Sequence, residues 1–262
     1  MVYLDDREIL WSGRNWSLIA EDLHTRTRFT VATADPSLHS VLHADRLIPT
    51  VALSGSSVIW TSWLEQKNKL SSFVSLCSLQ DRRVRTLARV YSPRTLADVA
   101  LFGHEAAWSQ INQTSKNGTA NATSTLWLYD TTSRILSQLP APHGASELNM
   151  SKNYLVYKGS PTRYETGDVY LYDLRTRRTR ALTAGGATSE PETPSVGASL
   201  VTWSSLAHET VAAYDLAQGR LVKLRPETGG RPFTAGSLLI YVAPRDSTNP
   251  QRGFQLVIDR LR

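Results

Sequence analysis

The chain has 262 residues, with 29 Lys and Arg against 23 Asp and Glu, for a formal net charge of +6; 41% of it is hydrophobic. That apolar content is enough for a packed core and excludes a disordered chain. The single cysteine, Cys77, excludes an intrachain disulfide. No apolar run reaches the ~18 residues that a membrane span needs, and the start MVYLDDREIL lacks the basic and apolar regions of a signal peptide.

Taken in chain order, one set of elements is written repeatedly. An apolar strand ending in an aromatic comes first: REILWSG, SSVIWTS, HEAAWSQ, NYLVYKG, SLVTWSS and SLLIYVA. Its aromatics are Trp11, Trp60, Trp108, Tyr157, Trp203 and Tyr241, spaced by about 40–50 residues, the period of a blade repeat. A second strand follows each: SLIAEDL, FVSLCSL, LWLYDT, VYLYDL, VAAYDL and FQLVIDR. An acidic residue closes five of the six, Asp22, Asp130, Asp173, Asp215 and Asp259, and Ser78 fills the place in the second. A short turn then leads into a basic strand: TRTRFTV, RRVRTLA, SRILSQL, RRTRALT and GRLVKLR. A Pro/Gly/Ser/Thr-rich connection carries the chain to a short strand such as TPSVG or RPFTAG, which opens the next unit.

Val, Ile, Leu, Trp and Tyr dominate these stretches and turn residues punctuate them at strand intervals. No window sustains a helical stripe. The nearest imitation, TLADVALFGHEAAW, is set by the repeat register as strand, turn, strand. Four-stranded units of this length cannot bury both faces alone, but they can when stacked radially. The chain is therefore expected to be an all-β, six-bladed β-propeller with four-stranded blades, forming a single domain over residues 1–262. Aligned at the aromatic, residues 1–4 become the first strand of unit one. The last unit stops after GFQLVIDRLR without a basic strand, so the last blade is expected to be incomplete, or to borrow residues 1–4.

The repeated residues have structural jobs. The Asp carboxylate accepts the backbone N–H two residues on and holds the turn. The aromatics fill the space between sheets, and Cys77 in FVSLCSL reads as a small core residue. The Arg clusters in DRRVRTLARVYSPR and DLRTRRTRAL read as solvated edge strands, where charge blocks sheet-to-sheet pairing, rather than as a nucleic-acid surface.

The phrase GDVYLYDLRTRRTRALTAGG followed by PSVGASLVTWSS resembles the repeats of TolB-type propellers, which pair a strand like IYLYDL with a Thr/Gly turn and an LT ending. The resemblance covers essentially the whole chain. It implies a scaffold used for periplasmic partner binding, for peptidase gating and for sugar lyases, so function has to be read from a site.

Propellers bind at a channel mouth, where connections converge. His39, His43, Arg94, His143, Glu190, Glu192 and Arg231 lie in the connections between units and are the candidate ligand-binding residues. Their mixed charge suits a protein, a peptide or a small polar ligand. His39 and His43 are four apart without the Glu of an H-E-x-x-H arrangement, and there is neither a G-x-S-x-G elbow nor a phosphate loop opening a helix. No catalytic residue, metal or cofactor is assigned. The expected role is a non-catalytic binding or scaffold module, monomeric and extracytoplasmic, part of a larger or processed protein, with a protein or peptide partner and no nucleic acid. The alternatives are a carbohydrate lyase or hydrolase with its site in the channel, which needs His39, His43 and His143 to converge, and the propeller cap of a serine peptidase.

The polar stretch SQINQTSKNGTANATSTLW contains sequons at Asn112, Asn117 and Asn121, with two more at Asn15 and Asn149. It reads as an oversized mobile loop of unit three, and WLEQKNKLSS as its counterpart in unit two.

Overall fold

The computed structural model describes residues 2–5, 17–33, 49–66, 69–116, 119–141, 143–160, 166–183, 190–205, 210–223, 232–235, 238–244 and 254–260. Among them there are strands and turns but no α-helix, and hence no helix long and apolar enough to cross a membrane. Six antiparallel sheets account for the strands, in agreement with six repeat units.

The first sheet contains β1 (Val2–Asp5), β2 (Ser17–Glu21) and β3 (Arg28–Thr33), in that order. The second is β4 (Val51–Ser54), β5 (Ser57–Gln66), β6 (Lys69–Ser78) and β7 (Arg83–Tyr91). The third is β8 (Arg94–Phe102), β9 (Glu105–Lys116), β10 (Thr119–Asp130) and β11 (Leu136–Leu139). The fourth is β12 (Ser146–Met150), β13 (Tyr154–Lys158), β14 (Val169–Asp173) and β15 (Arg178–Ala181). The fifth is β16 (Pro191–Val196), β17 (Leu200–Ser205), β18 (Thr210–Asp215) and β19 (Arg220–Lys223). The sixth is β20 (Phe233–Ala235), β21 (Leu238–Pro244) and β22 (Phe254–Arg260). Each is an up-and-down meander, the blade of a β-propeller.

Two of the sequence expectations are corrected here. Residues 2–5 pair with the Asp-ended strand, Val2 opposite Ala20 and Asp5 opposite Ser17. They take the place that the repeat gives to the aromatic strand rather than opening the sheet; Trp11 lies outside the described residues. The stretches expected to be mobile loops are instead the far ends of two long hairpins, β5–β6 and β9–β10. In the first of these the pairing runs without a break from Ser57↔Ser78 to Gln66↔Lys69. Composition misled, because pairing satisfies the backbone of a Ser/Thr-rich strand as well as that of an apolar one.

The chain packs as two compact units, Met1–Ala122 with Leu128–Leu136, and Thr123–Trp127 with Ser137–Arg262. In the first, Leu18, Val58, Trp60 and Cys77 form a buried cluster. In the second, Val156, Val169, Leu171, Leu182, Val196, Val201 and Trp203 do so. Burying each large side chain contributes about 1.5–3 kcal/mol. Trp60, Trp108, Tyr157 and Trp203 are all buried, as the repeated aromatic place requires.

Within each unit the opening strands of neighbouring sheets are tied by hydrogen bonds. Thr50 Oγ1 donates to the Ala97 carbonyl at 2.7 Å and Gly103 N–H to Ser54 Oγ at 2.9 Å. In the second unit Val196 N–H donates to Asn149 Oδ1 at 2.9 Å, and Thr234 N–H to Ser195 Oγ at 3.0 Å. Asn149, one of the sequon residues, therefore uses its side-chain oxygen within the protein.

The Asp-turns form as expected. Asp22, Asp130, Asp173 and Asp215 each accept, on Oδ1, the N–H groups two and three residues on, at 2.7–3.3 Å.

Candidate functional site

The opening strands of the fourth and fifth sheets are both bulged. Ser146 pairs with Lys158 and Asn149 with Val156, so Glu147 and Leu148 together face Tyr157 alone. Glu192 pairs with Ser204 and Ser195 with Thr202, so Thr193 and Pro194 together face Trp203. A bulge bends its strand and re-aims a side chain. Here Glu147 takes φ 54° and Thr193 φ 48°, both left-handed, and Glu190, just before β16, takes φ 41°. Non-glycine residues hold such conformations only where the surroundings enforce them.

The enforcing contacts converge on one lysine. Lys158 Nζ lies 3.7 Å from Glu147 Oε1 and 3.9 Å from Glu192 Oε1. Glu147 Oε2 also accepts the Thr193 N–H, which ties the two bulges together. The side chains of Lys158 and Glu147 are 4% and 11% exposed, whereas Glu192 retains 29%. An ammonium withdrawn from water is tolerated only when paired in this way. Lys158 thus stands between two carboxylates, and Glu192 is the one that solvent reaches more.

Among the residues expected at the site, Glu192 is thus in this cluster and half-buried Glu190 stands two residues before it. His143 is exposed, and its ring centroid lies 5.8 Å from that of Tyr170. Tyr170 stacks on Tyr157 at 5.5 Å with planes 13° apart. Burial pushes both tyrosine hydroxyls above their ordinary range, so both stay protonated; that of Tyr157 donates to the Pro140 carbonyl at 3.4 Å. Arg94 belongs to the other unit, where it opens β8 opposite Asn112 rather than lying in a long connection. His39, His43 and Arg231 lie outside the described residues, and with them the histidine cage of the lyase alternative.

The sequence reading missed Lys158, while Glu147 stands in the same connection, PAPHGASELN, as the candidate His143. The signal was available: NYLVYKG sets a lysine where the other aromatic strands of complete sheets carry Ser or Thr. A charge ending a buried strand implies a buried partner.

A recess of about 300 Å³ in the same unit is lined by Ser124, Thr125, Gln138, Leu139, Pro140 and Ala141. Its hydroxyls and amide can hydrogen-bond a polar ligand, but they include no nucleophile beside a base. Among the described residues no group of three or more His, Cys, Asp or Glu is gathered as a metal site.

Solved structures supply the comparison. TolB from Acinetobacter baumannii is similar over 95% of this chain and 58% of its own, with 14% identity and a TM-score of 0.54. The β-propeller domain of the Trilobed protease from Pyrococcus furiosus is similar over 80% and 67%, with 11% identity and a TM-score of 0.58. The chain has the TolB-type β-propeller fold. Pyrococcus horikoshii acylaminoacyl peptidase shares it over 98% of this chain and 44% of its own, with 9% identity and a TM-score of 0.65. The chain therefore spans less than two thirds of TolB and less than half of that peptidase. No family model matches the chain, and no curated protein matches it in sequence.

Within the TolB-type fold, Glu147 and Glu192 belong to the opening strands of successive blades, and Lys158 to the strand beside the first of them. The opening strand of the third sheet, β8, is bulged as well, Ala97 and Asp98 together facing Ser109, so the bulge recurs in the repeat, and what the fourth and fifth sheets add to it is the Lys158 ammonium between two carboxylates.

Proposed function

We propose that this propeller is a non-catalytic binding module whose channel mouth receives a protein or peptide partner through a basic group. One observation carries the reading: Glu192 is held on a bulged opening strand, beside a buried Lys158–Glu147 pair, with its carboxylate still partly open to solvent. A fixed, half-desolvated carboxylate favours an ammonium or guanidinium group. Residues 1–262 act in this proposal as one monomeric propeller domain in an extracytoplasmic setting, and of these the likeness to TolB supports the setting alone.

Panning a displayed random-peptide library on the chain tests it. Enriched peptides are expected to carry Lys or Arg, to bind less tightly as salt rises, and to lose at least ten-fold in affinity for Glu192→Gln. Peptides that bind Glu192→Gln as well as the parent overturn the proposal.

The likeness to the two Pyrococcus peptidases supports a second reading, a propeller that caps a peptidase domain. A peptidase domain encoded next to this chain in its gene favours that reading, and its absence removes it.

A further inference from the structure

The outer parts of the fourth and fifth sheets gather positive charge. In the fourth, Arg175 and Arg177 lie in the turn after Asp173, and Arg178 and Arg180 lie on β15; all four are exposed. Leu174 N–H donates to the Asn153 carbonyl at 2.9 Å, which sets the short β12–β13 connection, with exposed Lys152, against that turn. In the fifth, exposed Arg220 opens β19. The two sheets meet here: the Arg180 guanidinium lies 5.0 Å from the centre of the Tyr214 ring, and Tyr214 stands opposite Leu221 in the β18–β19 register.

The acids in these stretches do not cancel the charge. Asp173 and Asp215 each hold two turn N–H groups on Oδ1. Six cations against two carboxylates leave +4, where the whole chain carries +6. Among the described residues none of the six makes an ion pair with a carboxylate. Keeping a further strand off needs only charge on the edge itself; Lys152, Arg175 and Arg177 stand in turns, off the ladder. The first unit has a weaker counterpart beside exposed Val84, confined to one sheet: Arg82, Arg83, Arg85 and Arg89. There Arg82 lies over Phe29 at 4.5 Å, and Arg89 packs on Phe73 and Tyr91 at 4.9 and 4.8 Å.

The character of the surface selects its partner. Leu221 stands among these cations and is 59% exposed. Arginines around an exposed aliphatic side chain fit the headgroup layer of an anionic bilayer, which attracts each cation and receives the apolar group. A nucleic-acid strand requires free ring faces for its bases, and the ring here, Tyr214, packs on the core and is covered by Arg180. We propose that this surface of the second unit docks the chain on an anionic bilayer, with Leu221 entering the headgroup layer.

The probe is a vesicle of phosphatidylcholine and phosphatidylglycerol, compared with one of phosphatidylcholine alone, in a flotation assay on the full chain. The chain is expected to float with the first and not the second, and to be released as salt rises. Arg177→Gln with Arg178→Gln is expected to weaken partition about ten-fold or more, whereas lysine at both places retains it. Leu221→Ser is expected to weaken it about two-fold or more. Lys69→Gln with Arg134→Gln, which removes the same charge from exposed places in the first unit, is expected to leave it unchanged. Far-ultraviolet circular dichroism identical to the parent's shows that each variant is folded. Four results overturn the proposal: no flotation with the anionic vesicles, equal behaviour of the two charge-matched pairs, a Leu221→Ser chain that floats like the parent, or a single-stranded oligonucleotide that binds through these arginines more tightly than the vesicles do.

Discussion

Arg177 and Gly219 occupy the same place in two successive Asp-turns. Each follows its aspartate by four positions, each donates its N–H to that aspartate's carbonyl, at 2.8 and 2.9 Å, and each is left-handed, with φ 57° and 66°. Arg26 and Arg134 repeat the arrangement after Asp22 and Asp130.

An L side chain in this conformation costs about 1–2 kcal/mol, whereas glycine adopts it freely. Arg177→Gly is therefore expected to stabilise the chain by roughly 1 kcal/mol, less the entropy glycine returns to the unfolded chain. Gly219→Ala is expected to destabilise it by a similar amount. Urea unfolding of the two variants checks both signs.

The same turns set the behaviour in acid. The N–H groups of His24 and Thr25 hold the Asp22 carboxyl below its ordinary range, and those of Ser133 and Thr132 do so for Asp130. A carboxyl depressed in the folded state contributes stability above its unfolded value, about 3.9, and that contribution is lost as pH falls through the folded value. Asp130→Asn is expected to lower Tm at pH 7, with a difference from the parent that narrows below pH 4. A constant difference across a thermal-unfolding series from pH 7 to pH 2.5 contradicts this.

Lys158→Met removes the counter-charge from the buried Glu147 and is expected to cost about 3–5 kcal/mol. Adding Glu147→Gln keeps an acceptor for the Thr193 N–H and removes the orphaned charge, so the double variant is expected to recover most of the loss. A double-mutant cycle in urea gives the coupling.

Thr202 is fully buried and its hydroxyl has no hydrogen-bond partner among the described residues. An unmatched buried hydroxyl costs about 1–3 kcal/mol. Thr202→Val keeps the shape and is expected to be neutral or stabilising by up to about 1 kcal/mol, as read by denaturant midpoint.

Gly159 and Gly167 pack where no Cβ fits. A Cβ on Gly167 would lie 2.8 Å from the Gly159 carbonyl oxygen, and one on Gly159 would lie 2.2 Å from a Tyr170 ring carbon. Each alanine variant is expected to cost about 1–3 kcal/mol by overpacking. Only Gly159→Ala acts directly on the Tyr157–Tyr170 stack, so it should show the larger change in near-ultraviolet circular dichroism.

What repeats locally was legible in the residues. The aspartate that closes a strand, the turn after it and the basic strand beyond depend on contacts a few positions apart, and one unit after another writes them the same way. The ring at Trp60, Trp108, Tyr157 and Trp203 declares its burial by size alone. Tertiary structure decided the rest, because it depends on which strands lie side by side. Lys158 meets Glu192 only because β12 and β16, opening strands of different repeats, lie against each other and are both bulged. β1 could be assigned a partner only from its register with β2. The stretch from Ser109 to Trp127 looked like a loop because its Ser, Thr and Asn residues suit either state, and cross-strand pairing, which no short window of sequence contains, chose between them.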